Sequence, residues 1–188
     1  MPKGKSGGHN NNYKKFLNAL SHEDAVRILL DLCNDSVLAD RIGATVKTLL
    51  AKVDADAIAD EIFRSLNAIQ VEDLWDHSGE TRWGYQDPTD VAFEMIENEV
   101  QPFVFEMEKF KSLGMKKGEK ECCKGIILGL LRYGEEGSNE FRDWAPDDPY
   151  TVAENIVYDW KKDHLAEDVK EIQAVYDGYF SDKDEDED

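Results

Sequence analysis

The chain has 188 residues, enough for one domain with a sizeable core, and 41% of them are hydrophobic against 34% charged. Its formal net charge is -19, and the excess is not confined to the ends: residues 1–15 hold four Lys, 182–188 hold six acids and one Lys, and the rest still carries 35 acidic against 17 basic side chains. Such a surface repels phosphate backbones, which argues against direct nucleic-acid binding, while four Trp, eight Phe and seven Tyr exclude a wholly disordered chain.

Residues 1–12, MPKGKSGGHNNN, read as a flexible arm in which His9 is an incidental polar residue. From Tyr13 onward almost every segment repeats its apolar residues near every 3.6 positions, which predicts an all-α fold. Ser21 can cap a first strong helix with Asp24 as the reciprocal acid, and Val26, Leu29, Leu30 and Cys33 share one face. Ser36 can cap the next helix, striped by Leu38, Ile42, Val46, Leu49, Leu50 and Val53. Asp54 or Asp56 starts a third, with Ile58, Ile62, Phe63, Leu66 and Ile69, and a brief helical piece follows from Val71 to Asp76. Short links between these helices predict antiparallel packing.

Residues 77–87 have no helical period and read as the main internal loop. Asp87-Pro88-Thr89-Asp90 then has the order of a helix start, with Asp87 as cap and Pro88 where its missing N–H costs nothing. That helix should run to about Leu113, kinked or broken near Pro102. Gly114 ends it, and the next helix carries Cys122, Cys123, Ile126, Ile127, Leu130 and Leu131. Gly125 and Gly129, one turn apart on this helix, form a groove that lets a neighbouring helix approach closely. After Gly134-Glu-Glu-Gly137 and a loop through Trp144 come two more helices, with Val152, Ile156, Val157 and Trp160 inward on the first and Val169, Ile172, Val175, Tyr176 and Phe180 on the second. The tail, 181–188, is too acidic to bury anything and reads as disordered.

One pattern occurs twice. Trp83-x3-Asp87-Pro88-x2-Val91-Ala92 returns 61 residues later as Trp144-x3-Asp148-Pro149-x2-Val152-Ala153. Each residue has a local structural role: an aromatic anchor, a cap, a first-turn proline and the start of a buried stripe. The echo also suits two related loop–helix units of a short helical stack. The run Trp75-Asp-His-Ser-Gly-Glu-Thr-Arg-Trp-Gly-Tyr-Gln-Asp-Pro-Thr-Asp-Val-Ala, with Lys124-Gly-Ile-Ile-Leu-Gly-Leu-Leu-Arg and Trp144-Ala-Pro-Asp, resembles uncharacterised prokaryotic helical proteins related to the region downstream of SWIM-type zinc fingers. The zinc finger's Cys-x-Cys and Cys-x-His pairs are absent, so the resemblance implies a helical partner or scaffold region and brings no catalytic residue with it.

Three kinds of chemistry compete for the remaining residues. Arg82, Trp83 and Tyr85 in the first loop, with Phe141, Arg142 and Trp144 before the second helix start, place aromatics beside Arg, the residue types that dominate binding hot spots. Asp76, His77 and Glu80 could ligate a metal, but the spacing matches no zinc or calcium motif. Cys122 or Cys123 could pair with His77 or His164 as a thiolate nucleophile, although both cysteines sit in an apolar helix where thiols are usually inert. Three cysteines without a CxxC pair, and no apolar leader, point to a cytoplasmic protein.

The sequence thus predicts an all-α fold of stacked helical hairpins, a short α-solenoid or an irregular bundle. One domain would span 13–180, with a hairpin region at 13–76 and two related units in 77–180. The expected role is interaction or scaffolding with a protein partner, cationic if charge decides, without cofactor, nucleic acid or membrane. The alternatives are an enzyme or metal-dependent protein built on the acid/His cluster, and an acidic mimic of nucleic acid. Oligomeric state is left open.

Overall fold

The computed structural model describes residues 9–82 and 84–181, so Trp83 and the acidic tail from 182 lie outside the described residues. The fold is all-α apart from one small hairpin. The chain divides into two compact units, Met1–Leu50 and Ala51–Asp188. The core explains the division: every buried hydrophobic residue among those described falls between Ala59 and Ile172.

The first unit holds α1 (His9–Asn18), α2 (His22–Leu32) and α3 (Ser36–Leu50). Helix α1 begins at His9, inside the segment expected to be a flexible arm. The Ser21 hydroxyl accepts from the Asp24 amide and donates to the Asp24 carboxylate, so the expected cap forms. The cap of α3 is one residue earlier than expected. Asp35, not Ser36, accepts from the Val37 and Leu38 amides. Neither α2 nor α3 contains a buried residue, and Leu29, Leu30, Val37 and Leu49 are all exposed.

The second unit is an irregular bundle around one central helix. Its elements are α4 (Ala55–Asn67), α5 (Val71–His77), strands β1 (Gly79–Thr81) and β2 (Gly84–Gln86), α6 (Pro88–Ser112), α7 (Lys116–Glu136), a 3-10 turn at Glu140–Trp144, α8 (Asp148–Asp163) and α9 (Ala166–Ser181). Helix α7 packs against α4, α6, α8 and α9. Its middle is apolar nearly all round, as a stretch enclosed by neighbours must be: Cys122, Cys123, Ile126, Ile127, Leu130, Leu131 and Tyr133 are fully buried. Gly125 and Gly129 form the expected groove, filled by α4. A Cβ at Gly125 would lie 2.7 Å from the Ala55 carbonyl oxygen, and one at Gly129 would lie 2.8 Å from Ile62 Cβ.

Local chemistry sets the ends of these helices. Asp54 caps α4 by accepting from the Asp56 and Ala57 amides. Helix α6 stops where Gly114 takes φ +65°, a value that favours glycine. The Met115 amide then donates to the Phe110 carbonyl and the Gly114 amide to that of Lys111, the paired bonds of a Schellman stop. Helix α6 is continuous through Pro102, so of the kink or break expected there the break does not occur. Pro102 and Asn98 are both exposed, so water can satisfy the carbonyl that proline leaves without a donor. The internal loop is partly ordered as an antiparallel hairpin pairing Gly79 with Gln86 and Glu80 with Tyr85.

Candidate functional site

Two places in the second unit combine exposed or polar groups in a manner that packing alone does not require. The first is the surface formed by α5 and the 3-10 turn. Val71 and Leu74 bury one side of α5, which leaves Trp75, four residues after Val71, at the rim. Trp75 and Trp144 meet edge to face, with ring centroids 4.5 Å apart and planes at 83°. They remain 44% and 38% exposed, and Tyr85 on β2 is 66% exposed. Large aromatics held against each other at the surface lose little freedom on binding and offer apolar area, as hot-spot residues do.

The charge around this pair is one-sided. Helix α5 presents Glu72, Asp73 and Asp76, and the 3-10 turn is flanked by Glu140, Asp143 and Asp147, all exposed. The nearby cation Arg142 is turned inward. Its guanidinium donates twice to the Gly134 carbonyl, through Nε at 3.0 Å and through Nη2. Phe141 is fully buried. These two residues, expected at a binding surface, instead anchor the turn to α7 and the core: a ring in the core and a guanidinium satisfying a helix-end carbonyl are not free to meet a partner. Arg82 and Tyr85 are exposed, and Trp83 lies outside the described residues. The partner that Trp144 uses, Trp75, went unassigned in the sequence. Its only signal was an aromatic at the edge of a short buried stripe.

The alternative metal set, Asp76, His77 and Glu80, is not gathered into a site. Among the described residues, no group of three or more His, Cys, Asp or Glu side chains is placed to hold an ion. His77 Nδ1 lies 2.7 Å from the Asp73 carbonyl, where it closes the end of α5. The thiolate pairing fails as well. Burial, with a smaller contribution from Glu106, pushes the Cys122 thiol up to about 12, and burial also raises Cys123. Cys122 Sγ lies 3.5 Å from the Phe103 carbonyl, and neither His77 nor His164 faces a cysteine.

The second place is a pair of adjoining clefts of about 210 and 260 Å³ where the ends of α6 and α8 meet the start of α7. At their floor, the His164 ring lies flat on the Trp160 indole, centroids 3.6 Å apart and planes 3° from parallel. His164 Nε2 is 2.9 Å from Glu119 Oε1, and Glu119 is only 5% exposed. Lys111 and Asp163 pair at 2.6 Å on the rim, and Lys120 and Asp168 at 2.5 Å. The sequence offered no motif here, because the residues come from four helices and 45 positions separate Glu119 from His164.

Fold and site together define an all-α bundle with an exposed tryptophan pair, in which no described helix is long and apolar enough to cross a membrane. No protein-family model, no curated protein and no solved structure matches this chain. The resemblance read from Trp75 to Ala92 therefore rests on that run and its companion segments alone.

Proposed function

We propose that this chain is a helical interaction module that engages a protein partner through the Trp75–Trp144 surface. The observation that carries the reading is the solvent-exposed, edge-to-face Trp pair. The six acids on α5 and around the 3-10 turn favour a partner segment that alternates basic and apolar side chains, since complementary charge speeds encounter and excludes acidic competitors. Tyr85 and Arg82 on the adjacent hairpin would extend the contact. The two candidate anchors withdrawn into the structure, Phe141 and Arg142, support it from beneath.

The test compares the native chain with Trp75→Ala/Trp144→Ala as immobilised bait at low and high salt, with circular dichroism confirming the fold. The double variant should lose captured proteins that the native chain holds, and those proteins should elute as salt rises. A captured set unchanged by the double substitution, or no capture by the native chain, overturns the reading.

A further inference from the structure

The formal charge of the chain is divided as its fold is. Residues 1–50 hold seven Lys or Arg against five Asp or Glu, a net of +2, whereas residues 51–188 hold 15 against 36, a net of -21. The first unit thus carries none of the negative excess. It carries instead most of the uncovered apolar surface: eleven of the nineteen large hydrophobic residues exposed among those described lie in it. Apolar residues scattered singly are ordinary on a protein surface, but their gathering on a few short helices marks a contact face.

That face has a helical pattern. On α2, Glu23, Asp24, Arg27 and Asp31 fall on one side, while Val26, Ile28, Leu29, Leu30 and Leu32 take the rest of the circumference. Each of these five is at least 40% exposed. An apolar arc so wide needs more than one neighbour. Helix α3 supplies one by its contact with α2, yet its own Val46 and Leu49 stay exposed. Helices of 11 and 15 residues do not hold their form on propensity alone, so their order depends on what lies against these faces.

We infer that the cover is a second copy of this chain, with the α2–α3 faces of two first units packed on each other about a two-fold axis. Charge selects this occupant. Contact through the second units would set -21 against -21, whereas two first units are each nearly neutral, carry both signs on their polar sides, and meet without that repulsion. A face present on both copies is also complementary to itself, so pairing closes at two and leaves no face open for further chains. Ordering the short helices offsets much of what the contact gains, so the pair is weak and the dilute chain keeps α2 and α3 readily opened. The Trp75–Trp144 surface belongs to the second unit and takes no part, so the two readings stand or fall separately.

The test is sedimentation equilibrium of the full chain from micromolar to near-millimolar concentration, at low and high salt. The native chain should pass from monomer to dimer as concentration rises, and salt should favour the dimer by screening repulsion between the second units. Leu29→Glu/Leu30→Glu, at two exposed positions and with a residue of good helix propensity, should weaken association by about a hundredfold or more while leaving the thermal unfolding of the second unit unchanged. Trp75→Ala/Trp144→Ala should pair as the native chain does. A native chain that stays monomeric throughout overturns the inference, and that readout needs no variant. So does a dimer indifferent to Leu29→Glu/Leu30→Glu, or one that dissociates as salt rises, the behaviour of a first unit docked on an acidic second unit.

Discussion

At single residues, the same substitution should act in opposite directions depending on what surrounds it. Gly125→Ala adds a methyl 2.7 Å from both the Ala55 carbonyl oxygen and Ile58 Cβ, where neither neighbour is the loose end of a side chain. Overpacking of this kind costs about 1–3 kcal/mol, and the better helix propensity of Ala returns at most about 1 kcal/mol. At Gly43 in α3 an added methyl would meet nothing within 4 Å, so Gly43→Ala keeps only the gain. Urea denaturation should show a net loss of about 1–2 kcal/mol for Gly125→Ala, and circular dichroism should show no loss of helix for Gly43→Ala. The Gly125/Gly129 groove was legible because spacing on one helix is a local property. The fates of Phe141 and Arg142 were not, because whether a ring next to a loop points inward depends on which carbonyls and cavities the distant α7 presents. Arg142 turns inward because the Gly134 carbonyl, eight residues back at the end of α7, accepts its donors.

Between elements, the twofold echo is faithful in its buried half and diverges at its cap. Val91, Ala92 and Ile96 are buried, and so are Val152, Ala153 and Val157 at the same offset. Asp87 caps α6 through the Thr89 amide and hydroxyl, and those bonds hold its carboxyl below the usual value. Its counterpart Asp148 lies inside α8, with Asp147 in the cap position making no side-chain cap bond. Burial, and then the neighbouring Asp147, raises the Asp148 carboxyl. The two acids therefore act oppositely on stability. Asp87 helps above the ordinary carboxylate range, and that help is lost as pH falls through its lowered value. Asp148 in its charged form is a cost, full above its raised value and gone below about the ordinary 3.8. Asp148→Asn should raise the melting temperature near pH 7 and have progressively less effect toward pH 3, whereas Asp87→Ala should lower it by roughly a few degrees at pH 7. Melting curves of both variants across that range check the pair, and parallel pH profiles would contradict it. Sequence pattern exposed the echo because hydrophobic spacing survives divergence. It missed the cap difference because a single helix turn can start at either of two adjacent aspartates.

For the molecule as a whole, the distribution of buried residues predicts a graded stability. Helix α7 has twelve buried residues and touches four other helices, so its amides can open only when most of the second unit does. Helices α2 and α3 have no buried residue, and helices of 11 and 15 residues hold little structure by propensity alone. Their apolar stripes, legible in the sequence as Val26, Leu29 and Leu30 and as Val46 and Leu49, mark faces that packing has not covered. Periodicity reports that a helix has an apolar side and is silent on whether anything lies against it. Hydrogen exchange followed by mass spectrometry on the intact chain should separate the two. Segments within 122–131 should exchange only through global unfolding, slowing under native conditions and accelerating steeply with denaturant. Segments of α2 and α3 should exchange orders of magnitude faster, with little dependence on low denaturant, because local opening exposes almost no new surface. Equal protection in α2, α3 and α7 would mean that the first unit shares the cooperative core, and the division at Leu50 would then have no energetic meaning.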